Sequence, residues 1–465
     1  MNMINVRRLT VMTFLGASML SGISAQVSPL QVDTLKETKI PDQWDLQSCI
    51  DYAKEQNITI RKNRITAAST QIDVKTAKAA MFPSLSFSTG QQVVNRPYQE
   101  TSSRVSGSEI ISSNSKTSYN GNYGLNASWT LYNGNKRLKT IQQEKLNNQM
   151  AELDVATSEN NIQESIAQVY IQILYAAESV KVNENTLQVS IAQRDRGQEL
   201  LNAGSIAKSD LAQLEAQVST DRYQLVTAQA TLEDYKLQLK QLLELDGENE
   251  MNIYLPALSD ENVLAPLPTK RDVYISALSL RPEIEASKLN VEASELGINI
   301  AKSSYFPTIS LSAGIGTNHT SGSDFTFGEQ VKNGWNNSIG LSVSVPIFNN
   351  RQTKSAVQKA KLQYETSMLS LLDEQKALYK TIESLWLDAN SAQQRYAAAN
   401  EKLKSTQISY ELISEQFNLG MKNTVELLTE KNNLLQAQQE QLQAKYMAIL
   451  NTQLLKFYQG DQLAL

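Results

Sequence analysis

The sequence contains a single cysteine, Cys49, and a single histidine, His319, among its 465 residues. One cysteine cannot form a disulfide within the chain, so crosslinks do not contribute to its stability. His319 lies beside a Ser/Thr-rich segment without a suitably spaced metal ligand, and one histidine cannot support a Ser/His/Asp or a Cys/His catalytic arrangement. We therefore expect no enzyme activity, no metal site and no cofactor.

The chain also lacks an excess of positive charge. It carries 43 Lys and Arg residues against 48 Asp and Glu residues, which gives a formal net charge of −5. Nucleic-acid binding proteins present a basic patch or stripe to the phosphate backbone. An acidic chain without such a stripe argues against a nucleic-acid partner.

Apolar runs are short, and the clearest one extends from Leu9 to Leu20. Arg7 and Arg8 precede it and the small residues Ser21–Ala25 follow it, which predicts a cleaved secretory signal peptide over residues 1–25. A membrane-anchoring helix needs about twenty apolar residues, and this run has roughly twelve. Because no cysteine lies near the cleavage point, we expect the exported chain not to be lipidated.

The rest of the chain has no apolar run of the length that a membrane-spanning helix requires, so entry into a membrane would have to use strands. Two hairpins, about 84–132 and about 308–346, show alternating apolar and small polar residues. We predict that the apolar members of their return strands face lipid: Tyr123, Leu125, Ala127, Trp129, Leu131, Ile339, Leu341, Val343 and Val345. The alternation by itself is weak evidence, because a half-buried soluble sheet shows it too.

Three aromatic residues of the hairpins, Tyr123, Trp129 and Trp335, are candidates for interfacial anchors, with packing between sheet and helices as the alternative. The polar segments 95–118 and 318–332 are predicted to be loops.

The most regular feature is a stretch of about seventy residues, from Asn349 to Leu419, without glycine or proline. Its apolar ladder has a period of seven: Ile382, Ala389, Tyr396, Leu403, Tyr410 and Phe417. The frame 216 positions earlier contains a similar ladder, in which five of the six positions are apolar: Ile166, Ile173, Val180, Leu187, Arg194 and Leu201. Sustained heptads predict two supercoiled helices, each roughly 100 Å long at about 1.5 Å per residue.

The two ladders belong to an internal duplication. Phe82-Pro83 and Phe306-Pro307 each end a helix and open a strand, and Gly204 and Gly420 each end a long helix. The predicted organisation is a leader over 26–43, a first repeat over 44–246, a connector over 247–270, a second repeat over 271–460 and a tail over 461–465. The long helices are placed at about 136–202 and about 351–419, and a single helix is predicted from Trp44 to Met81.

Four strands cannot close a barrel, and an open sheet edge in lipid leaves backbone groups unpaired. A trimer with twelve strands is the smallest symmetric ring that leaves a water-filled interior. We therefore predict a mixed α and β membrane protein, with a trimeric 12-stranded β-barrel and long helices that extend from it into the periplasm. The hairpin loops would face the outside of the cell.

The duplicated order, the Phe-Pro step into each strand, the exit at Val345-Pro346-Ile347-Phe348 and the two glycine turns resemble the TolC-type outer membrane efflux family. The resemblance implies a homotrimeric exit duct in the outer membrane lipid, whose 12-stranded β-barrel is continuous with a long periplasmic α-helical coiled-coil barrel. Its partners would be a periplasmic adaptor and an inner-membrane pump of RND or ABC type. A type I protein-secretion duct remains an alternative. A periplasmic coiled-coil scaffold is a second alternative, from a different class.

The resemblance also implies functional positions at the turns. The adaptor would dock on Ala203, Gly204, Ser205, Leu419, Gly420 and Met421. The gate of the periplasmic entrance would use Phe417 and Lys422 against Ser209 and Asp210, with Glu426 as an acidic ring and Thr429 where the family has a second acid. Residue chemistry alone offers plainer roles: Asp210 as a helix N-cap and Glu426 as a first-turn acid that the helix dipole favours.

Overall fold

The computed structural model describes residues 40–98, 102–106, 109–113, 116–246, 251–256, 263–321, 323 and 325–463. The predicted signal peptide lies outside these residues, as do most of the predicted leader, parts of the connector and the end of the tail. Residues 1–40 and 41–465 form separate units, and the fold described below is that of the second unit. Within the described ranges, no helix combines the length and the apolar character needed to cross a bilayer.

The two halves of the chain repeat one order of elements. The first half consists of α1 (Leu46–Gln56), α2 (Ile58–Ala79), β1 (Ser84–Asn95), β2 (Ser102–Ser106), β3 (Glu109–Ser113), β4 (Thr117–Asn133), α3 (Lys136–Asn202) and α4 (Lys208–Leu242). The second half consists of α5 (Lys270–Leu280), α6 (Pro282–Lys302), a 3₁₀ turn (Ser303–Tyr305), β5 (Thr308–Thr320), α7 (Phe327–Asn333), β6 (Asn336–Ser344), α8 (Gln352–Asn418) and α9 (Thr424–Gln459).

The long helices α3 and α8 contain 67 residues each. Apart from Arg194, whose side chain is 36% exposed, the ladder residues are buried or half-buried. Ile166, Ile173, Ile382 and Ala389 are fully buried. The seven-residue period therefore marks the seam along which each long helix packs on its neighbours.

The prediction of one helix from Trp44 to Met81 is wrong, because the helix is broken at Asn57. The Asn57 side chain accepts a hydrogen bond from the backbone N–H of Thr59 at 2.9 Å and donates one to the carbonyl of Leu242 at 3.0 Å. Asn57 therefore caps α2 and ties its start to the end of α4.

The corresponding break in the second half falls at Arg281, between α5 and α6. The buried Arg281 guanidinium donates to Glu283 at 2.8 Å and to Glu164 of α3 at 3.1 Å. It also stacks over the ring of Tyr458 near the end of α9, 4.2 Å from the ring centroid. Asn57 thus joins the start of α2 to the end of α4 through its amide. Arg281 joins the start of α6 to α3 through an ion pair and to the end of α9 through its contact with Tyr458.

Four strands form one antiparallel sheet in the order β1-β4-β5-β6. The register aligns the apolar positions of all four strands in rows, such as Leu85–Ala127–Ala313–Ile339 and Trp129–Leu311–Leu341. Neighbouring rows consist of Ser, Gly, Asn and Thr, such as Ser86–Asn126–Gly314–Ser338. One face of the sheet is therefore apolar and the other is small and polar.

The segments predicted as loops contain further structure. β2 and β3 pair as an antiparallel hairpin within the predicted loop 95–118. The second predicted loop, 318–332, includes the end of β5 and most of α7, which a capping box of Thr326 and Glu329 starts. The Ser- and Asn-rich composition did not reveal these elements, because short polar strands and helices lack an apolar period.

The structure differs from the predicted set of lipid-facing strand residues in two details. The register shifts between Thr130 and Tyr132, so Tyr132 rather than Leu131 pairs with Ile309. β6 ends at Ser344, which leaves Val345 just beyond the strand.

The helices form a row with two free ends. Beside the sheet, neighbouring helices follow the order α2, α3, α6, α8, and towards the turns the order is α4, α3, α9, α8. Helix α8 therefore stands at one end of both rows, while α2 and α4 stand at the other end.

Midway along the helices, chain segments cross both long helices at equivalent positions. Tyr170 of α3 donates its hydroxyl to the carbonyl of Tyr254 at 2.6 Å, and Trp386 of α8 donates its indole N–H to the carbonyl of Pro268 at 3.0 Å. Trp44 pairs with this connector as well, through a backbone bond from Tyr254 at 2.8 Å. The main hydrophobic core lies here, around Trp44 and Tyr170.

Candidate functional site

Both long helices end in the same glycine turn. Gly204 and Gly420 have φ values of +71° and +73°, a left-handed conformation that glycine adopts without a Cβ penalty. Beyond each glycine, a backbone N–H returns to the last helical turn: Ser205 to the carbonyl of Leu200 and Met421 to that of Gln416, both at 2.8 Å. This Schellman geometry closes the helix and reverses the chain within a few residues.

The two turns present different surfaces. Ala203 and Ser205 are small and exposed. In the second turn, Leu419 is 75% exposed and Met421 is 70% exposed. The second turn therefore offers apolar contact area that the first turn does not have.

Glu426 lies at the start of α9 and has two roles there. It forms a capping box with Asn423, whose side chain accepts a bond from the Glu426 N–H at 2.9 Å. Its carboxylate also accepts a bond from Lys422 Nζ at 2.5 Å. The bond from Lys422 and the bond from the Asn423 backbone hold the pKa of Glu426 below its ordinary value. Glu426 is thus an ionised first-turn acid with a cation at its side.

Asp210 is not the N-cap that its residue type suggests. Helix α4 starts at Lys208, with Ala207 at the N-cap and Asp210 at the third helical position. From there its carboxylate accepts a bond from the backbone N–H of Ala207 at 3.0 Å. Ser209, one position earlier, is exposed.

The structure does not join the predicted gate residues as expected. Phe417 is buried at the end of α8. We call α3 with α4 the first coil and α8 with α9 the second coil. Lys422 pairs with Glu426 on the second coil, and Asp210 accepts a bond from Ala207 on the first coil. Each turn is therefore stabilised locally, and the described contacts of these residues do not link the turns.

One buried link between the two coils comes from residues that the sequence did not point to. Asp221 of α4 and Lys431 of α9 form a buried ion pair, and Ser190 of α3 donates its hydroxyl to the same carboxylate. A signal was available: Asp221 lies seven residues after the buried Leu214, and Lys431 lies four after the buried Leu427. Charged residues at core positions of a heptad mark a specific partner.

Helix α7 lies against the apolar sheet face near Thr317, whose hydroxyl donates to the carbonyl of Val331 at 2.7 Å, and near His319, whose ring contacts Phe327. Most of the face away from α7 is exposed, and its edge strand β6 is exposed along its whole length. Ile339 on this strand is 82% exposed. Trp129 is partly exposed and donates its indole N–H to the carbonyl of Met81 at 2.7 Å, so it joins the sheet to the end of α2. Tyr123 stacks on His319, with ring centroids 5.9 Å apart.

Known proteins resemble this chain in sequence and in fold. The outer membrane efflux protein BepC of Brucella suis biovar 1 is 24% identical over 294 residues, which cover 63% of this chain and 61% of BepC. The outer membrane protein TolC of Escherichia coli is 24% identical over 294 residues, which cover 61% of this chain and 58% of TolC. Each alignment thus spans about three-fifths of the relative's length. The structure of CusC matches with a TM-score of 0.75 at 19% identity, over 90% of this chain and 92% of CusC, which shows a shared fold.

The chain thus duplicates a unit of stacked helices, a hairpin and a 67-residue helix, with an apolar sheet at one end and glycine turns at the other. The family described as "Outer membrane efflux protein" matches residues 49–244 and 273–460, which together make up most of the chain. The chain belongs to this family.

Proposed function

We propose that the chain forms the outer-membrane exit duct of a tripartite efflux system, which passively conducts substrates from a periplasmic adaptor and an inner-membrane pump of RND or ABC type to the outside. The observation that carries this proposal is the sheet, whose apolar rows lie on one face that is largely exposed. A soluble protein exposes few apolar patches of this extent. Lipid is the environment in which such a face is stable.

The edges of the sheet support a homotrimer. β1 and β6 each pair on one side only within the four-stranded sheet, and the strands alternate in direction from β1 to β6. β6 of one copy can therefore pair with β1 of the next in the antiparallel sense that the sheet already uses. Three copies supply twelve strands, which closes the ring and leaves an interior wide enough for water.

The free ends of the helix row carry heptad stripes that suit the same assembly. On α2, Ile58, Ile65 and Ile72 are exposed at intervals of seven. At the opposite end of the row, Leu362 and Leu369 of α8 are exposed at the same interval. Heptad stripes on two edges that a ring brings together predict a coiled-coil seam between copies.

The two turns are the proposed docking site for the adaptor, because they close the helices at the end away from the sheet. Each copy has two such turns, so a trimer presents six turns to the adaptor, and only the second turn of each copy adds apolar contacts.

The proposal includes a cleaved signal peptide and an exported chain that is not lipidated.

The proposal is tested by cell fractionation, gel analysis and electrical recording. We expect the protein in the outer membrane, as a trimer that survives detergent before heating, and as ion-conducting pores in planar bilayers. Recovery as a soluble periplasmic monomer would instead identify a coiled-coil scaffold. Co-purification with an adaptor and a pump, followed by transport of small molecules or of a protein, separates drug efflux from type I secretion.

A further inference from the structure

Helix α7 takes the place of the outer end of strand β6. Strand β5 extends to Thr320, but β6 pairs only with its residues 308–316. Beyond that point α7 lies along the edge of β5, where the Gln330 side chain accepts a bond from the backbone N–H of Thr320 at 2.8 Å. The carbonyl of Val331 accepts a second bond, from the Thr317 hydroxyl, at 2.7 Å. The outer part of this edge is thus bonded to a helix where a strand would otherwise continue.

Helix α7 is held against the sheet by its shape as well as by hydrogen bonds. The ring of Phe327 meets the ring of His319 edge to face, with centroids 5.0 Å apart. At the end of α7, an added Cβ on Gly334 would lie 2.6 Å from Asn318 Oδ1 and 3.2 Å from the carbonyl oxygen of Asn318. Glycine therefore lets the end of α7 approach the strand this closely.

In the proposed ring, the strand beside β6 is β1 of the next copy, and β1 is the longer of the two. β1 has 12 residues and β6 has nine. Both strands join the helices at a proline, Pro83 before β1 and Pro346 after β6, and proline cannot donate to a strand ladder. When these helix-side ends are level, the outer end of β1 extends past β6.

The extension of β1 falls beside α7. Antiparallel alignment from the helix-side ends places Val93 opposite Trp335 and Asn95 opposite Asn333, the last residue of α7. Within one copy, Val93 is 65% exposed and Trp335 is 57% exposed. Both positions continue the apolar alternation of their strands, so both belong to the apolar face. Each residue thus offers the apolar contact that the other needs.

The face of α7 that is turned away from β5 is polar. At about 100° per residue, Glu329, Lys332 and Asn333 lie opposite the residues that contact β5, and all three are exposed. Arg96, which follows β1, is exposed too, and its backbone N–H still pairs with the carbonyl of Lys116 at 2.7 Å. The Glu329 carboxylate and the Arg96 guanidinium therefore suit a polar rim around the apolar pair.

We propose that α7 is a clasp, which receives the outer end of β1 from the next copy and joins the copies where β6 has ended. The proposal rests on the proposed homotrimer, and the partner is a second copy of this chain. In the clasp, Trp335 packs on Val93 of the next copy, and the polar face of α7 contacts the residues that follow. The outer rim of the ring is thus held by contacts between a helix and a strand.

The clasp is tested by disulfide crosslinking of trimers in detergent, in a Cys49→Ala background. Asn333→Cys is combined with Val93→Cys in one variant and with Asn95→Cys in another. Within one copy these positions lie on opposite edges of the sheet, so a crosslink must join two copies. We expect covalent trimers on non-reducing gels, because Cα atoms of facing residues about 4.5–5.5 Å apart suit a disulfide.

A reference crosslink joins the strands themselves. Ser342→Cys on β6 is combined with Ser84→Cys, Ser86→Cys or Ser88→Cys on β1, and a covalent trimer with one of these shows the ring and its register. Strand crosslinks without a crosslink from α7 would overturn the clasp and leave lipid as the partner of Trp335. Failure of all the strand crosslinks would contradict the ring, and the clasp with it.

Two glycine variants test whether the crosslink depends on the docking of α7. Gly334→Ala introduces the collision with Asn318, whereas an added Cβ on Gly328, within α7, meets no atom within 4 Å. We expect Gly334→Ala to lower the ratio of α7-crosslinked to free chains about fivefold, equivalent to about 1 kcal/mol. Gly328→Ala should leave the ratio unchanged, and the strand crosslink should form equally in both. Equal α7 crosslinking in the two variants would overturn the clasp.

Discussion

The two halves of the chain differ in length at only one place. α1 and α5 start 224 positions apart, at Leu46 and Lys270, and β1 and β5 keep that interval. After the hairpins the interval is 216 for α3 and α8, and it stays 216 for α4 and α9. The difference of eight residues therefore lies within the hairpins, whose ends carry β2 and β3 in one half and α7 in the other. Helices and turns keep their lengths, while the far ends of the hairpins do not.

The halves also use different chemistry at equivalent positions. Asn57 and Arg281 occupy the same helix break, and they contact Leu242 and Tyr458, which are 216 positions apart. Backbone geometry is thus repeated, while the side chains that secure it are not. Where one half relies on a neutral hydrogen bond and the other on a buried charge, their sensitivity to mutation should differ.

The largest expected effect is at the helix breaks. Arg281→Ala leaves Glu164 and Glu283 without their buried cation, and we expect a loss of about 3–5 kcal/mol in the free energy of unfolding. Asn57→Ala removes a cap and one bond, with an expected loss of about 1–2 kcal/mol. Thermal unfolding in detergent, followed by circular dichroism, compares them. The control Arg64→Ala breaks a more exposed pair with Glu159 and should cost less than about 1 kcal/mol. Equal losses at Asn57 and Arg281 would contradict this comparison.

The next effect concerns the strand face. Leu341→Lys places a charge on the apolar face of β6, and we expect a loss of about 2–4 kcal/mol near the bilayer midplane. Leu125→Lys makes the same change on β4 of the first half and should have a similar cost. Ser342→Lys, on the polar face of the same strand as Leu341, is the control and should be close to neutral. Refolding into lipid vesicles measures all three, and a large loss in the control would contradict the assignment of the faces.

The glycine turns should respond alike in both halves. Gly204→Ala and Gly420→Ala each force a side chain into the left-handed region, at about 1–2 kcal/mol. An added Cβ meets no atom within 4 Å at either position, so backbone conformation is the whole of the expected cost. The same unfolding measurement applies. Clearly unequal losses in the free energy of unfolding would show that contacts outside the turn also stabilise one of the two turns.

The surfaces of the turns, unlike their backbones, should not be equivalent. Leu419→Ser removes exposed apolar area from the second turn, and we expect adaptor binding to weaken about tenfold, or about 1.4 kcal/mol, with stability unchanged. Ala203→Ser at the first turn is the control and should bind normally. Surface plasmon resonance with the purified adaptor measures both. Equal binding by the two variants would argue against an apolar contact at the second turn.

The smallest effect is the pH response of Glu426. Its pKa in the folded chain is lowered, so the stabilisation from ionised Glu426 is present at neutral pH and is lost as the pH falls through that lowered pKa. We expect cation selectivity of the entrance to decrease over the same acidic range and to be absent in Glu426→Gln at neutral pH. Reversal potentials across planar bilayers measure this. Unchanged selectivity in Glu426→Gln would contradict a role for Glu426 at the entrance.

Regular periods made the long helices, the alternating strands and the duplication visible in the sequence, because hydrophobic burial imposes those periods. The break at Asn57 was not visible, because a single Asn within a helical stretch does not change the apolar period on which the prediction of one helix rests. The hairpin β2–β3 and helix α7 were not visible either, because their few apolar residues are too short a pattern to show a period. At the candidate site, the turns were predicted from their glycines. The buried ion pair of Asp221 and Lys431 was not, because the two residues lie 210 positions apart and only packing brings them together.

The equal lengths of α3 and α8 limit how this chain can change in evolution. Each added residue moves the turn at the end of its helix by about 1.5 Å and rotates it by about 100°. An insertion in one long helix alone would place its turn out of level with the other and turn its heptad stripe away from its neighbours. Insertions in the helices are therefore tolerated only as matched changes in both halves, whereas the ends of the hairpins can vary one at a time. The distance from the sheet to the turns is therefore determined by both halves together.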